Sequence, residues 1–147
     1  MYEHILIATD GSDSAEAAGR HAQELASTVD ATLHVISCVE PIPLGKIPAG
    51  TEAASSDHHK TISIQEKLGT LAIDTIADQA KGTGISVVED LLYGPPPSEI
   101  IDYATENDID LIVLGTKGIT GSRRFLIGSV AEKVVRQSDT PVLTIRG

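Results

Sequence analysis

The stretch HILIATD, residues 4 to 10, decides the fold, because its centre is apolar without interruption. A strand with one solvated face alternates apolar and polar residues, whereas a continuous apolar run predicts burial on both faces, as in a parallel sheet. Residues 11 to 29 follow with the spacing of a helix. Its predicted apolar side consists of Ala18, Ala22, Leu25 and Val29.

The alternation of strand and helix continues to the end of the chain. Further strands are predicted at 31–37, 85–92, 110–115 and 141–146, and further helices from roughly 58 to 81, after the prolines at 95–97, and over 128–137. The apolar face of the helix from 58 to 81 is predicted to contain Ile64, Leu68, Leu71, Ala72 and Ile76. This order predicts one domain over 1–147, an α/β three-layer doubly wound sandwich around a five-stranded parallel sheet. The two most apolar strands, the first and fourth, are expected at its centre.

Three helix starts are predicted from capping residues. Asp13 and Glu16 have the spacing of a capping box, with Asp in the Ser/Thr position. Ser98 is expected to cap the helix after the prolines. Ser129 and Glu132, in SVAE, form a second capping box that predicts a helix beginning near Ser129.

The composition excludes several classes of protein. The formal net charge of −10 argues against sequence-independent binding to nucleic acid. No run approaches the roughly 18 apolar residues of a membrane helix, and the first residues lack the basic segment of a signal peptide, so we expect a cytoplasmic protein that binds no membrane. The single Cys38 has no evident partner base, which disfavours a nucleophile. The proline-containing segment 40–60 is expected to be a loop, either functional or disordered.

A ligand site is predicted where the first and fourth strands end. In doubly wound sheets, ligands bind beyond the carboxyl ends of the strands, at the point where the strand order reverses. The turns TDGS (9–12) and GTKG (115–118) would face each other there. Residues 115–147 contain six basic and two acidic residues in an otherwise acidic chain. Glycines that permit close approach, and a helix start near Ser129, would suit an anion. The motifs of P-loop proteins and of nicotinamide dehydrogenases are absent.

The spacing of three glycines identifies a family resemblance. Gly115, Gly118, Gly128 and Ser129 fit the pattern G-x2-G-x9-G-[ST], which resembles the nucleotide-binding signature of the universal stress protein family. The segments ILIATDGSDSA, LHVIS, DLIVLGTKG and GSVAEKVVRQSDTPVLTIR also resemble that family, and the likeness covers the chain except for 40–60. It implies the strand order 3-2-1-4-5 and an adenine nucleotide, typically ATP, in the crevice.

The resemblance also implies a role for each site residue. Asp10 would lie at the ribose and adenine, with Ala8 and Thr9 as the floor. Val35 would pack against adenine while its backbone reads the base edge. The ribose and first phosphates would meet Gly115, Thr116, Lys117 and Gly118. The outer phosphates, bridged by Mg²⁺, would meet Gly128, Ser129 and Val130. Arg123 and Arg124 fall in the spacer of the signature, so their role stays open.

These implications favour an ATP-binding protein of stress response or signalling. No residue stands out as a general base, so we expect at most slow ATP hydrolysis or autophosphorylation. The last strand, 141–146, is expected to pair with a second copy and form a homodimer. Two alternatives stay open: a nucleotide-free dimeric interaction module, and a nucleotidyl-transferase-like enzyme. The alternative for Asp10 is a turn carboxylate that bonds its own backbone, although its place at the predicted switch point favours a role in binding.

Overall fold

The computed structural model of the chain describes residues 1–40, 52–116 and 124–146, and within these all side chains except those of 52–58 and 124–127. Strands and helices alternate throughout. In chain order they are β1 (His4–Ala8), α1 (Asp13–Val29), β2 (Thr32–Val39), α2 (Glu52–Lys81), β3 (Val87–Tyr93), α3 (Pro96–Glu106), β4 (Leu111–Gly115), α4 (Arg124–Gln137) and β5 (Val142–Ile145). The second half of the segment predicted as a loop over 40–60 therefore belongs to α2.

The five strands form one parallel sheet in the order β3-β2-β1-β4-β5, which confirms the predicted architecture. β1 lies at the centre and β4 beside it. Ile7 is opposite Val35 of β2 on one side and Val113 of β4 on the other. The side chains of Ile5, Leu6 and Ile7 are all fully buried. Both faces of the central strand are therefore covered, as its continuous apolar run predicts.

Two apolar cores separate the sheet from its helices. Ile5, Ile7 and Leu33 pack on one face with residues of α1 and α2. Leu6, Ile36 and Ile112 pack on the other face with residues of α3 and α4. Successive residues of a strand point to opposite faces, so one apolar run supplies both cores.

The apolar face of α1 is narrower than predicted. Ala18 and Ala22 are fully buried, but Leu25 is half-buried and Val29 is 40% exposed. Small residues set this packing, because a Cβ on Gly19 would lie 2.7 Å from Ile76 Cδ1 of α2. Val29 is the last residue of the helix, and its predicted burial was wrong.

The apolar face of α2 was predicted wrongly at three positions. Ala72 and Ile76 are buried, but Ile64, Leu68 and Leu71 are 57%, 52% and 62% exposed. The buried face instead consists of Gly69, Ala72, Ile73, Ile76, Ala77 and Ala80. A Cβ on Gly69 would lie 2.8 Å from Leu91 Cδ1, so the glycine brings α2 close to the sheet. The helix thus has two apolar sides, and its smaller residues face the core.

Two of the predicted caps differ from the structure. The N-cap of α1 is Ser12, whose hydroxyl accepts the Ala15 N–H at 3.1 Å, so the box proposed for Asp13 begins one residue too late. α3 begins at Pro96 without a side-chain cap, and the hydroxyl of Ser98 donates to the Pro95 carbonyl at 3.1 Å. Proline itself favours the first turn, since its missing N–H would have no acceptor there.

A buried polar chain joins β1, β2 and α3 near the start of the strands. His4 Nδ1 lies 3.1 Å from His34 Nε2, and His34 Nδ1 lies 2.8 Å from the Tyr103 hydroxyl. Burial, and then the nearby His4, lower the pKa of His34 below its usual value of 6.5. Burial, and then the Asp90 carboxylate, raise the pKa of Tyr103 to about 12. His34 therefore favours the neutral form in the folded protein.

We predict that the free energy of unfolding falls as the pH drops below about 6.5, the ordinary pKa of histidine. The unfolded chain binds a proton on His34 at a higher pH than the folded chain does, so this contribution is complete above pH 6.5 and lost below it. Urea unfolding between pH 7.5 and 5.5 measures the slope. His34→Gln, which keeps hydrogen-bonding atoms but does not titrate, should flatten it, and an unchanged slope would contradict the assignment.

Candidate functional site

The strand order reverses between β1 and β4, and this is where the candidate site lies. β1 is followed by Thr9 and Asp10, and β4 ends at Gly115. The chain continues from β1 toward β2 on one side, whereas β4 is neighboured by β5 on the other. Such a switch point opens a crevice at the carboxyl ends of the strands.

A cavity of about 150 Å³ occupies this crevice, on the side of the sheet covered by α3 and α4. Its lining residues are Ala8, Thr9, Asp10, Ala15, Cys38, Pro96, Ile100, Leu114, Gly115, Val130 and Ala131. Five of the predicted site residues are among them: Ala8, Thr9, Asp10, Gly115 and Val130. Asp10 is the one charged residue in this described lining, so the cavity is mainly apolar.

The turn after β1 is fixed by its own hydrogen bonds. The Gly11 N–H donates to the Thr9 hydroxyl at 3.1 Å, and the Ser12 N–H donates to Asp10 Oδ1 at 2.9 Å. Gly11 has φ of 82°, which a glycine adopts without strain. The Ser37 hydroxyl donates to the Thr9 carbonyl at 2.7 Å. The exposed Asp10 carboxylate is therefore both a turn carboxylate and a wall of the cavity.

Gly115 allows β4 to approach the first turn of α1. A Cβ at this position would lie 2.7 Å from the backbone and from the hydroxyl of Ser14. Packing alone therefore explains why position 115 is a glycine, without reference to any ligand. The neighbouring Thr116 is half-buried and donates its N–H to the Ile145 carbonyl at 3.0 Å, beside β5 rather than in the cavity.

The structure places Val35 away from the cavity. Its side chain is fully buried in the core beneath α1 and α2, on the opposite face of the sheet. The residue of β2 that lines the cavity is Cys38, three positions along and on the other face. No motif indicates which face of the sheet the cavity occupies, so sequence reasoning missed the other six lining residues: Ala15, Cys38, Pro96, Ile100, Leu114 and Ala131. The one signal in the sequence was that successive residues of β2 point to opposite faces of the sheet, so Val35 and Cys38 cannot face the same side.

α4 begins at Arg124, five residues before the predicted start at Ser129, so the capping box at Ser129 was wrong. Glu132 instead forms an ion pair with Arg136 one turn later. The first four N–H groups of a helix lack an intrahelical acceptor. These belong to residues 124–127, whereas Gly128 and Ser129 are the fifth and sixth residues of α4. Lys117, Gly118 and Arg123 lie outside the described residues.

Gly128 contrasts with Gly115. A Cβ on Gly128 would have no heavy atom of the described residues within 4 Å. Glycine inside a helix costs about 1 kcal/mol relative to alanine. Packing among the described residues therefore gives no reason for this glycine. Close approach of a ligand would give one.

The thiol of Cys38 is held in its protonated form. Burial, and then the carboxylates of Glu99 and Glu40, raise its pKa to about 12. A thiolate is the reactive form of cysteine, so Cys38 contributes an apolar surface to the cavity rather than a nucleophile.

The part of the chain that is described contains neither a cluster of metal ligands nor a helix suited to cross a membrane. No three His, Cys, Asp or Glu side chains lie together there in a way that could hold a metal ion. None of its helices combines the length and the apolar character needed to cross a bilayer.

Fold and cavity together define a doubly wound α/β protein with a crevice at its switch point. The model of the universal stress protein family matches residues 1–146, so the chain belongs to this family. A universal stress protein of Methanocaldococcus jannaschii is 35% identical over 147 residues, which cover 99% of this chain and 83% of that protein.

Two solved structures with this fold contain adenine nucleotides. A universal stress protein in complex with cAMP has a TM-score of 0.70 and 27% identity, and the match covers 98% of this chain and 97% of that one. The universal stress protein of Archaeoglobus fulgidus in complex with dAMP has a TM-score of 0.60 and 28% identity, with 98% of each chain covered.

The two described glycines of the site should respond oppositely to alanine. Gly115→Ala places a methyl group against the α1 backbone, so we expect a loss of about 1–3 kcal/mol in the free energy of unfolding. Gly128→Ala meets no described neighbour and should add up to about 1 kcal/mol. Urea denaturation of both variants measures this. A destabilised Gly128→Ala protein would show that this glycine is required for packing.

Proposed function

We propose that the protein binds ATP in the crevice between β1 and β4, and that nucleotide occupancy regulates its interactions in stress response or signalling. The observation that carries the proposal is the apolar cavity at the switch point of the sheet. Two related proteins with this fold are complexed with cAMP and with dAMP, both adenine nucleotides. The cavity is smaller than the roughly 300–1,000 Å³ of typical ligand pockets, which suits one part of a nucleotide.

The base and ribose are assigned to the described cavity. A flat aromatic base suits the apolar surfaces of Ile100, Leu114 and Val130, with Ala8 and Thr9 beneath it. The exposed carboxylate of Asp10 can accept hydrogen bonds from ribose hydroxyls at the rim. The fully buried Val35 faces the core on the other side of the sheet, so its side chain is not assigned to the base.

The phosphates are assigned to the basic part of the sequence. Gly115 ends β4 in the wall of the cavity, and in the sequence Thr116, Lys117 and Gly118 come next. Gly128 would allow a phosphate to approach the helix, and Ser129 would offer its hydroxyl. The positive end of the α4 dipole, now at residues 124–127, adds a favourable field. Mg²⁺ would bridge the phosphate oxygens and supply additional neutralising charge.

The described lining offers little for catalysis of phosphoryl transfer. Asp10 is the one acidic residue of this described lining, and one oxygen of its carboxylate accepts the Ser12 N–H. A general base must instead reach the attacking water or hydroxyl. We therefore expect binding with at most slow hydrolysis or autophosphorylation.

The direct test is nucleotide binding. The purified protein is denatured and the released small molecules are identified by mass spectrometry; the stripped protein is then titrated calorimetrically with ATP and Mg²⁺. We expect adenine nucleotide in the first experiment and a Kd below about 1 mM in the second. If no nucleotide is retained and ATP does not bind at that level, a nucleotide-free interaction module is the better hypothesis. Rapid transfer of a nucleotidyl group to a substrate would favour the enzyme.

The placement of the phosphates is tested by Gly128→Val. The branched side chain would occupy the approach to α4, so we expect ATP affinity to fall at least about tenfold. Gln137→Val, at an exposed and uncharged position of the same helix, controls for valine in a helix and should bind normally. A folded Gly128→Val protein with unchanged affinity would sink this placement.

We further propose a homodimer through β5. This strand is at the edge of the sheet and contacts β4 on one side only. The carbonyls of Pro141 and Ile145 accept bonds from β4, so by alternation the backbone groups of Val142 and Thr144 point outward. A second copy of β5 would satisfy them.

Thr144→Pro tests this pairing without disturbing the bonds between β4 and β5. Proline removes an outward N–H, which an edge strand tolerates, so we expect a folded protein with half the wild-type mass in light scattering. Thr144→Ala keeps the N–H and should assemble normally. A Thr144→Pro protein of wild-type mass would refute pairing through β5.

A further inference from the structure

The outer side of α2 carries an apolar stripe that the fold does not bury. The stripe consists of Ile64, Leu68 and Leu71, which are 57%, 52% and 62% exposed. Positions four and three residues apart lie on one face of a helix. At about 100° per residue, this face points away from the buried side formed by Ala72, Ile76 and Ala80. Among the described residues, the stripe is therefore open to a second body.

Charges follow the stripe in an ordered way. Lys60 and Lys67 lie on one flank toward the start of α2, and Asp74 and Asp78 continue the same flank toward its end. All four residues are exposed. Lys81, the next cation, is held by Glu89 of β3 at 2.8 Å, and it also lies near enough to Asp78 and Asp74 for their charges to help raise its pKa. The flank is therefore basic in its first half and acidic in its second.

The outer charges of this pattern are complementary when one helix is reversed, since Lys60 then faces the acidic half, whereas the two copies of Lys67 lie next to each other near the axis. Consider a two-fold axis beside Leu68, where α2 of a second copy runs antiparallel. Each residue rises about 1.5 Å along the helix, so Lys60 lies about 12 Å from the axis on one side. Asp74 and Asp78 lie about 9 and 15 Å from it on the other side. The rotation brings each Lys60 between the two carboxylates of the partner. Parallel pairing would instead place like charges at the same height.

The charge of this surface also selects the occupant. Residues 59–81 hold three cations and three anions, so α2 is neutral there in a chain of net charge −10. A second copy meets less repulsion on this face than on the acidic remainder of the surface. A lipid surface or a nucleic acid would favour a positive face instead.

We propose that Ile64, Leu68 and Leu71, with the flanking Lys60, Lys67, Asp74 and Asp78, form an antiparallel α2–α2 interface between two copies of this chain. The apolar stripes bury each other, and the charges fix the direction. The interface is separate from β5, so a chain that uses both surfaces assembles beyond a dimer. Isologous contacts of this kind are the commonest in homo-oligomers.

The test measures mass by sedimentation velocity over a range of concentrations. Leu68→Glu puts two like charges at the axis and should weaken the α2 contact at least about tenfold, halving the mass of the assembly or more. Val135→Glu changes another large apolar residue, 53% exposed on α4, and should leave the mass unchanged. Both variants are also made with Thr144→Pro, so that a failure of pairing through β5 is distinguished from a failure of this contact.

A charge exchange separates a second copy from any other occupant. Lys60→Glu with Lys67→Glu should weaken the assembly, and adding Asp74→Lys with Asp78→Lys should restore it, since the reversed flank is again self-complementary. The proposal would be overturned if Leu68→Glu and both charge variants all had the same mass as the wild type. It would also be overturned by a stripe that binds neutral phosphatidylcholine vesicles and no second copy, or by a fourfold variant without recovery.

Discussion

The rest of the structure depends on the pairing of β1 with β4 at the centre of the sheet. β1 can occupy this place because Ile5, Leu6 and Ile7 are buried on alternate faces, where they supply both cores. With β2 on one side and β4 on the other, the chain leaves the central strands in opposite directions. The crevice at their ends is a consequence of this connectivity.

The close packing of the helices against the strands determines which residues line the crevice. Gly115 lets the end of β4 lie against Ser14, and the bonded turn from Thr9 to Ser12 fixes the opposite wall. The cavity then extends toward α3 and α4, which makes it apolar beside an acidic rim at Asp10. This is the division expected of a site that holds a base in its depth and polar groups at its mouth.

Much of this was predictable from the sequence. Strand and helix alternate clearly, and the uninterrupted apolar runs of β1 and β4 indicate central strands. Together with the rule for switch points, they predict a crevice near Thr9 and Gly115, where the structure has a cavity. Five of the predicted site residues line the cavity, because strand ends are positioned by topology rather than by details of packing.

The remaining differences come from interactions that a sequence pattern does not encode. Periodicity predicts that Leu68 is buried, but α2 has two apolar sides, and the side with Gly69 and the alanines packs closer to the sheet. A capping box predicts a start at Ser129, yet α4 begins at Arg124. Val35 and Cys38 lie on opposite faces of β2, and only the position of α3 decides which face has the cavity.

The central claim is that the crevice between β1 and β4 binds an adenine nucleotide. Its most direct test is an amide NMR titration of the assigned protein with ATP and Mg²⁺. The account predicts shifts concentrated at Thr9, Asp10, Gly115, Val130 and Ala131, with little change at the His4–His34–Tyr103 chain at the other end of the strands. Shifts confined to α2 or to β3, or no shift at millimolar ATP, would contradict it.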